Sequence, residues 1–293
     1  MNRFSEKEQA QHSVTSNIHA PRSPFFDSSE PRLGVLNPEI GKTHFRLLRY
    51  DPAPELASFV RHYWTVEWDL RGSEPYRQEV VPNPCANLVI EPGRTACYMP
   101  SAARFSYLLQ EKGKVFGVKF RPGGFYPFYR KSLSESAGCP LPVEVFLNTT
   151  SAALEQALTA TDNAGLCDLL DRLLLEVCPE KDTETELLHR IIAAIAEDRE
   201  LTKVDALCEN TQTEKRTLQR LFSRRIGLGP KWVIRLHRIQ EAAEALERGA
   251  GQAGPNLLHL SHDLGYHDQA HFIKDFKAVI GVTPEAYASG TRR

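Results

Sequence analysis

The chain has 293 residues, 41% of them apolar, and a formal net charge of −1 at pH 7. That length predicts about two domains with real hydrophobic cores, and so balanced a charge excludes a protein that holds nucleic acid by bulk charge alone. No stretch approaches the ~18 consecutive apolar residues of a membrane-spanning helix, and the first residues carry acids and no apolar run, so neither a membrane span nor a secretory leader is expected and the reading is cytoplasmic.

Residues 1–42 interleave Ser, Pro, Gln and charge, which predicts a disordered or loosely attached tail, with Ser23 to Asp27 (SPFFD) as a stretch able to dock. From Thr43 to about Pro140 the pattern changes to short runs of strand formers. Phe45, Leu47 and Tyr50 begin the first, and Pro54 to Arg61 reads as a brief helix. Tyr63 to Trp68 (YWTVEW) follows, then Glu79 to Val81, Asn87 to Ile90, Ala96 to Tyr98 and Val115 to Phe120. PNP, EPG and RPGG turns separate them, a spacing that predicts a small antiparallel sheet or barrel over 43–140. Gly123 and Gly124, followed by FYPFYR, predict a turn into a short helix.

From Pro142 to Cys178 the period becomes helical. Leu154, Leu158, Leu166, Leu169, Leu170, Leu173 and Leu174 form stripes, with a break at Asp162 to Gly165. Residues 141–183 therefore read as linking helices, their leucines serving as core or as a contact between two copies. Pro179 to Thr183 is a polar linker. A helical half begins near residue 184: Leu187, Leu188, Ile191, Ile192 and Ile195 mark its first helix, and Val204, Leu207 and Cys208 the apolar side of a second.

Between Glu214 and Ile226, Leu218, Leu221, Phe222 and Ile226 recur at helical spacing, so one stripe is buried. The opposite face carries Lys215, Arg216, Gln219, Arg220 and Arg224. Every charged residue from Lys215 to Arg238 is a cation, with Arg225, Lys231 and Arg235 completing the run. A short helix with an apolar back and a basic, amide-bearing front has the shape that enters a major groove. Gly227 ends it, and Pro230 suits the first turn of the next helix, which runs to about Leu246.

The same frame occurs twice. Phe222-x3-Ile226-Gly227-x2-Pro230 recurs as Phe276-x3-Ile280-Gly281-x2-Pro284, behind a second apolar stripe of Phe272, Phe276, Val279 and Ile280. Two helix-turn-helix units are therefore expected. The turn of the second contains Gly265; that of the first reads Thr211-Gln212-Thr213. Either Gln212 takes a positive φ, at a cost of order 1 kcal/mol, or that turn adopts another shape. A helix of about 18 residues between the units spans roughly 27 Å, and adjacent major grooves on one DNA face lie about 34 Å apart, so one chain can place two helices in successive grooves.

The segment from about Thr185 to Thr291 resembles the C-terminal DNA-binding domain of AraC/XylS-type bacterial transcription regulators. The resemblance rests on KRTLQRLF, the GPKW turn, and LGYHDQAHFIKDF followed by IGVTPEAY. It implies an all-α double helix-turn-helix over 184–293, with base contacts at Arg216, Gln219 and Arg220. The residue chemistry agrees, because Arg pairs with guanine and Gln with adenine at base edges. Lys215, Arg224, Arg225 and Lys231 are expected to neutralise phosphates. In the second unit the frame sets Ala270, Ile273 and Lys274 against those three readers, and Gln269 and Lys274 are the expected base contacts, with His267 as a further candidate. Upstream, VPNPCANLVIE and GVKFRPGGFYPF resemble an N-terminal domain found in one subgroup of these regulators, which gives 43–140 a sensing or dimerisation role by position and supplies no chemistry. The expected fold class is α+β: a small antiparallel β domain with helices, then the helical half.

Other chemistries lack a complete set of residues. His259, His262, His267 and His271 cluster in the second unit, but no carboxylate or cysteine pair completes a zinc set, so no metal site is expected. Tyr63, Asn83, Asn87, Glu91 and Arg121 are polar groups near turns, yet no nucleophile–base pair or phosphate loop accompanies them, and no catalytic residue or cofactor is expected. The cysteines at 85, 97, 139, 167, 178 and 208 form no CxxC pair and read as reduced thiols. The alternative function is a DNA-repair-type regulator with a reactive Cys85. Tyr63, Trp64, Trp68, Phe116, Phe120, Phe125, Tyr126 and Phe128 either wall an effector pocket or fill a core. The expected partner is double-stranded DNA; RNA polymerase, a small-molecule effector and a second copy of the chain are the other candidates.

Overall fold

The structure is a computed structural model and describes residues 22–24, 43–136, 138–248 and 256–290. The tail expected over 1–42 lies outside the described residues, apart from 22–24.

The N-terminal half is built on a five-stranded antiparallel sheet in the order β1-β2-β7-β4-β5, comprising β1 (Arg46–Tyr50), β2 (Val60–Asp69), β4 (Asn87–Ile90), β5 (Ala96–Tyr98) and β7 (Lys112–Phe120). A separate two-stranded sheet pairs β3 (Tyr76–Val80) with β6 (Phe105–Leu109). Period-two alternation explains the two faces of β2. Tyr63 and Thr65 are fully buried, whereas Trp64 and Trp68 lie on the other face over Gly117 and Gly113 of β7, where a side chain on either glycine would collide with an indole. Two details differ from the sequence expectation. The brief helix over 54–61 is only a 3-10 turn at Pro54–Leu56, because Val60 pairs with Phe120 of β7 and draws the chain into β2, with an irregularity at Arg61. The strand β6 was missed, since Phe105, Ser106 and Leu108 are exposed and show no buried alternation.

After a single turn at α1 (Tyr126–Tyr129) come α2 (Ser151–Ala160) and α3 (Asn163–Glu176). The break between the last two is a cap: Asp162 accepts from the Gly165 N–H at 2.8 Å, satisfying an N–H that the first turn leaves open. Leu154, Leu158, Leu166, Leu170 and Leu174 pack with Tyr63, Leu88, Ile90, Phe116, Val118 and Phe120 of the sheet, so the leucine stripe is core. Inside that core the Asp171 carboxylate accepts from the Tyr63 hydroxyl at 2.6 Å and the Ala53 N–H at 2.9 Å, and Arg22 neutralises it. A buried carboxylate needs such partners to stay charged.

The C-terminal half is helical: α4 (Thr183–Glu197), α5 (Val204–Thr211), α6 (Lys215–Arg225), α7 (Pro230–Arg248), α8 (Leu257–Asp263), α9 (Gln269–Ile280) and α10 (Pro284–Gly290). It has two cores joined by α7. Val233 and Ile234 enter the first, with Leu188, Ile191, Leu207, Leu218 and Phe222. Leu236, Ile239, Ala242 and Leu246 enter the second, with Leu264, Phe272, Phe276 and Val279. The two halves touch at both units. Val81, just after β3, is buried in the second core. Gly227 (φ 83°) lies so near Leu133 that an added Cβ would stand 3.2 Å from that residue's backbone.

Candidate nucleic-acid interface

The first unit is α5, a turn, and α6. Gln212 does take the left-handed conformation (φ 49°, ψ 40°), closing α5 with its N–H on the Cys208 and Glu209 carbonyls. Its side chain is exposed, so no clash adds to the backbone cost. Behind α6, Leu218, Leu221, Phe222 and Ile226 are buried, as the stripe predicts. Arg216, Gln219 and Arg220 are exposed together on its outer face, and none makes a hydrogen bond or ion pair among the described residues. Lys215 is exposed and donates to Asp205 at 2.8 Å. Lys231, in the first turn of α7, is exposed.

The basic run divides at its C-terminal end, and the expected phosphate contact at Arg225 is corrected. Arg225 is only 4% exposed. Its guanidinium donates to Thr185 Oγ1 at 2.7 Å, to Asp182 at 3.1 Å and to Glu184 at 2.6 Å, and stands 4.4 Å from the centre of the Tyr126 ring. Arg224 is half-buried, shares Glu184, and lies 5.5 Å from the same ring. Burial works against the charge on Asp182. Bonds from the Thr185 N–H and from Arg225 nevertheless hold its carboxyl below the usual range. Glu184 is likewise lowered against burial, by Arg225 and Arg224. These partners were missed because helical rotation carries Arg225 to the side facing α4. The legible signal was the acidic start of that helix, where Asp182 caps the Thr185 N–H at 2.8 Å.

In the second unit Asp268 caps α9 through the His271 N–H at 2.7 Å. Lys274 and Ala270 are exposed, Gln269 is half-buried, and Ile273 packs partly against the second core. His267 is exposed. On the inner side Asp275 accepts from Tyr266 at 3.3 Å and pairs with Arg235 at 3.4 Å, while Arg238 stands 4.0 Å over the Tyr266 ring. These contacts fasten α9 to α7. The outer face of α9 thus offers one amide, small apolar groups and lysines only from its middle onward, Lys274 and Lys277, whereas that of α6 offers two arginines and an amide.

Among the described residues no three His, Cys, Asp or Glu side chains converge to hold a metal. Cys85 is buried. Tyr63, Glu91 and Arg121 turn to separate partners: Asp171, the Arg94–Tyr107 pair and the Ala57 carbonyl. Phe116, Phe120 and Phe125 fill the sheet core. Among the described residues no helix is long and apolar enough to cross a membrane.

Two family models match the chain: a helix-turn-helix domain over residues 207–290, and a domain of unknown function (DUF6597) over residues 48–139. An uncharacterized HTH-type transcriptional regulator of Haemophilus influenzae is 26% identical over 120 residues, which are 41% of this chain and 38% of that protein. The chain therefore spans well under half the length of that relative. Three solved structures are similar. The C-terminal domain of AraT, a response regulator from Geobacillus stearothermophilus, has TM-score 0.33 and 19% identity over 37% of this chain and 88% of that one. The DNA-binding domain of AdpA in complex with a target DNA has TM-score 0.31 and 19% identity, with coverages of 38% and 95%. ToxT from Vibrio cholerae has TM-score 0.36 and 14% identity, with coverages of 78% and 98%. Scores of that size carry no inference about this chain.

Proposed function

We infer that this chain, which carries an AraC-type helix-turn-helix domain behind an N-terminal domain of unknown function, is a DNA-binding transcription regulator. The observation that carries the reading is the outer face of α6. Arg216, Gln219 and Arg220 are exposed, uncommitted and backed by a fully buried stripe, so the helix can enter a groove without unfolding anything. Cations in the first turn of α6 sit at the positive end of the helix dipole, where folding disfavours them. An external anion relieves that repulsion. In the proposed complex Arg216 and Arg220 read guanine, Gln219 reads adenine, and Lys215 and Lys231 neutralise phosphates. Arg224 keeps its bond to Glu184 and contributes at most part of its charge.

The second unit reads less. Lys274 and Gln269 approach a base edge or phosphate, and Ala270 offers a methyl group to thymine. The 19 residues of α7 span roughly 28 Å, which suits helices in successive grooves. The N-terminal domain modulates this grip through its contacts with α6 and the second core. Its effector, a second copy of the chain, and RNA polymerase are the remaining candidate partners.

The test is selection of bound duplexes from a random pool by the full-length protein. A single enriched motif covering about two helical turns supports the reading. Enrichment of nothing, or a motif unchanged in Arg216→Ala, Gln219→Ala and Arg220→Ala variants, overturns it.

A further inference from the structure

Residues 22–24 belong to no strand or helix, and Ser23 and Pro24 are exposed. The Arg22 side chain, by contrast, enters the N-terminal half and is 14% exposed. Its guanidinium donates through Nη1 to the Asp51 carbonyl at 3.1 Å and through Nη2 to Asp171 Oδ2, and its Nε stands 3.3 Å from Asp168 Oδ1. Each of the three nitrogens meets an acceptor of its own.

Other elements supply those acceptors. Asp51 follows β1, and Asp168 and Asp171 lie one turn apart on α3, where three-residue spacing puts them on one face. Asp171 is 5% exposed. Its Oδ1 is taken by the buried Tyr63 hydroxyl and the Ala53 N–H, which leaves Oδ2 for Arg22. Burial pushes the neighbouring Cys167 thiol up to about 12, so near neutral pH it brings no charge of its own. A carboxylate buried in this way needs a cation. Two carboxylates and a carbonyl around one cation suit the fixed fork of a guanidinium better than the single point of an ammonium.

Side-chain chemistry alone holds the stretch: Arg22 supplies every hydrogen bond and ion pair that residues 22–24 make among the described residues. Arg22 is thus placed like a ligand on a tether.

We propose that Asp51, Asp168 and Asp171 form a guanidinium-binding site whose tethered occupant is Arg22, and that a free alkylguanidine competes for it. The site lies where α3 is fastened to β2 through Asp171 and Tyr63, so its occupant sets how firmly that helix holds the sheet. A guanidine is then the chemical class of small molecule to which the N-terminal half responds. A tether keeps its group at high local concentration, so Arg22 suppresses the free ligand.

Thermal melting and calorimetric titration of the full-length protein, without DNA, use agmatine as the alkylguanidine and putrescine, which carries an amine in place of the guanidinium, as the control. Because DNA is absent, failure here leaves the reading of α6 untouched. Arg22→Ala is expected to melt lower than the unaltered protein. It binds agmatine one-to-one, at least tenfold more tightly than the unaltered protein does, and regains part of its melting temperature on saturation. Asp168 is half-exposed, so Asp168→Asn added to Arg22→Ala leaves the fold intact and weakens agmatine binding. Arg22→Lys keeps a charge beside Asp171 and serves where the alanine variant fails to fold; it too is expected to melt below the unaltered protein. The proposal is overturned if Arg22→Ala does not bind agmatine at millimolar concentration, if putrescine binds as tightly, if the unaltered protein binds agmatine as well as the variant does, or if Arg22→Lys melts as the unaltered protein does.

Discussion

Helical rotation turns Arg220 to solvent and Arg225 into the protein, and the consequences of removing each differ accordingly. Arg220→Ala or Arg216→Ala is expected to cost about 1–3 kcal/mol of specific binding and to relax preference at one base position, read by competition binding with single-base variants of the selected site. Lys231→Ala weakens all sequences alike and lowers the salt slope by about one. For Arg225→Ala the salt slope stays the same and the fold suffers. It uncovers Asp182 and Glu184, which are partly solvated, so a loss of about 1–3 kcal/mol is expected in denaturant unfolding. The sign with pH follows from the same pairs. Both carboxyls titrate below their ordinary 3.8 and 4.5 when folded. Their contribution is thus full above those values and is lost as pH falls through them. Melting curves between pH 3 and 7 are expected to show a shallower acid decline in Arg225→Ala than in the unaltered protein.

At the scale of the element, the turn between α5 and α6 sets the tilt of the reading helix. Gln212 holds a left-handed backbone with its side chain exposed, so Gln212→Gly removes strain and no contact. A gain on the order of 0.5–1 kcal/mol in unfolding free energy is expected, with the selected motif unchanged. A changed motif would mean that the strain itself aims α6. Much of each element was legible from period alone: the buried stripes of α6 and α9, the paired frames and the break before α3 all follow from local spacing. The strand β6 and the short turn at Pro54–Leu56 were not. Exposed Phe105 and Leu108 carry no alternation, and β2 extends over Val60 only because β7 is there to pair with it.

Across the whole molecule, α7 is shared by two cores, so it behaves as a rigid spacer between the units. If α6 and α9 occupy successive grooves, inserting about 5 bp between the two halves of the selected site turns one half to the far side of the duplex. Binding is then expected to fall to the level of one unit, measured by gel shift; undiminished binding would show that α9 contributes nothing specific. The N-terminal half bears on both units, through Tyr126 and Leu133 at the end of α6 and through Val81 in the second core. Tyr126→Ala removes a ring stacked on a buried guanidinium, an interaction of about 1–2 kcal/mol. Its expected effect is a lower melting temperature together with weaker DNA binding.

The amino-acid sequence by itself determined the two helix-turn-helix units, the α+β class and the face of α6 that carries Arg216, Gln219 and Arg220, because these depend on periodicity and on local turn chemistry. Only the tertiary structure decided which cations stay available. Arg224 and Arg225 are drawn from the basic run by Asp182, Glu184 and Tyr126, which approach α6 from distant parts of the chain. It also decided that the leucines of α2 and α3 belong to the sheet core and that Arg22 meets Asp171 there. Spacing along one element records which way a side chain points, but what it meets there is set by chain packed against it from elsewhere.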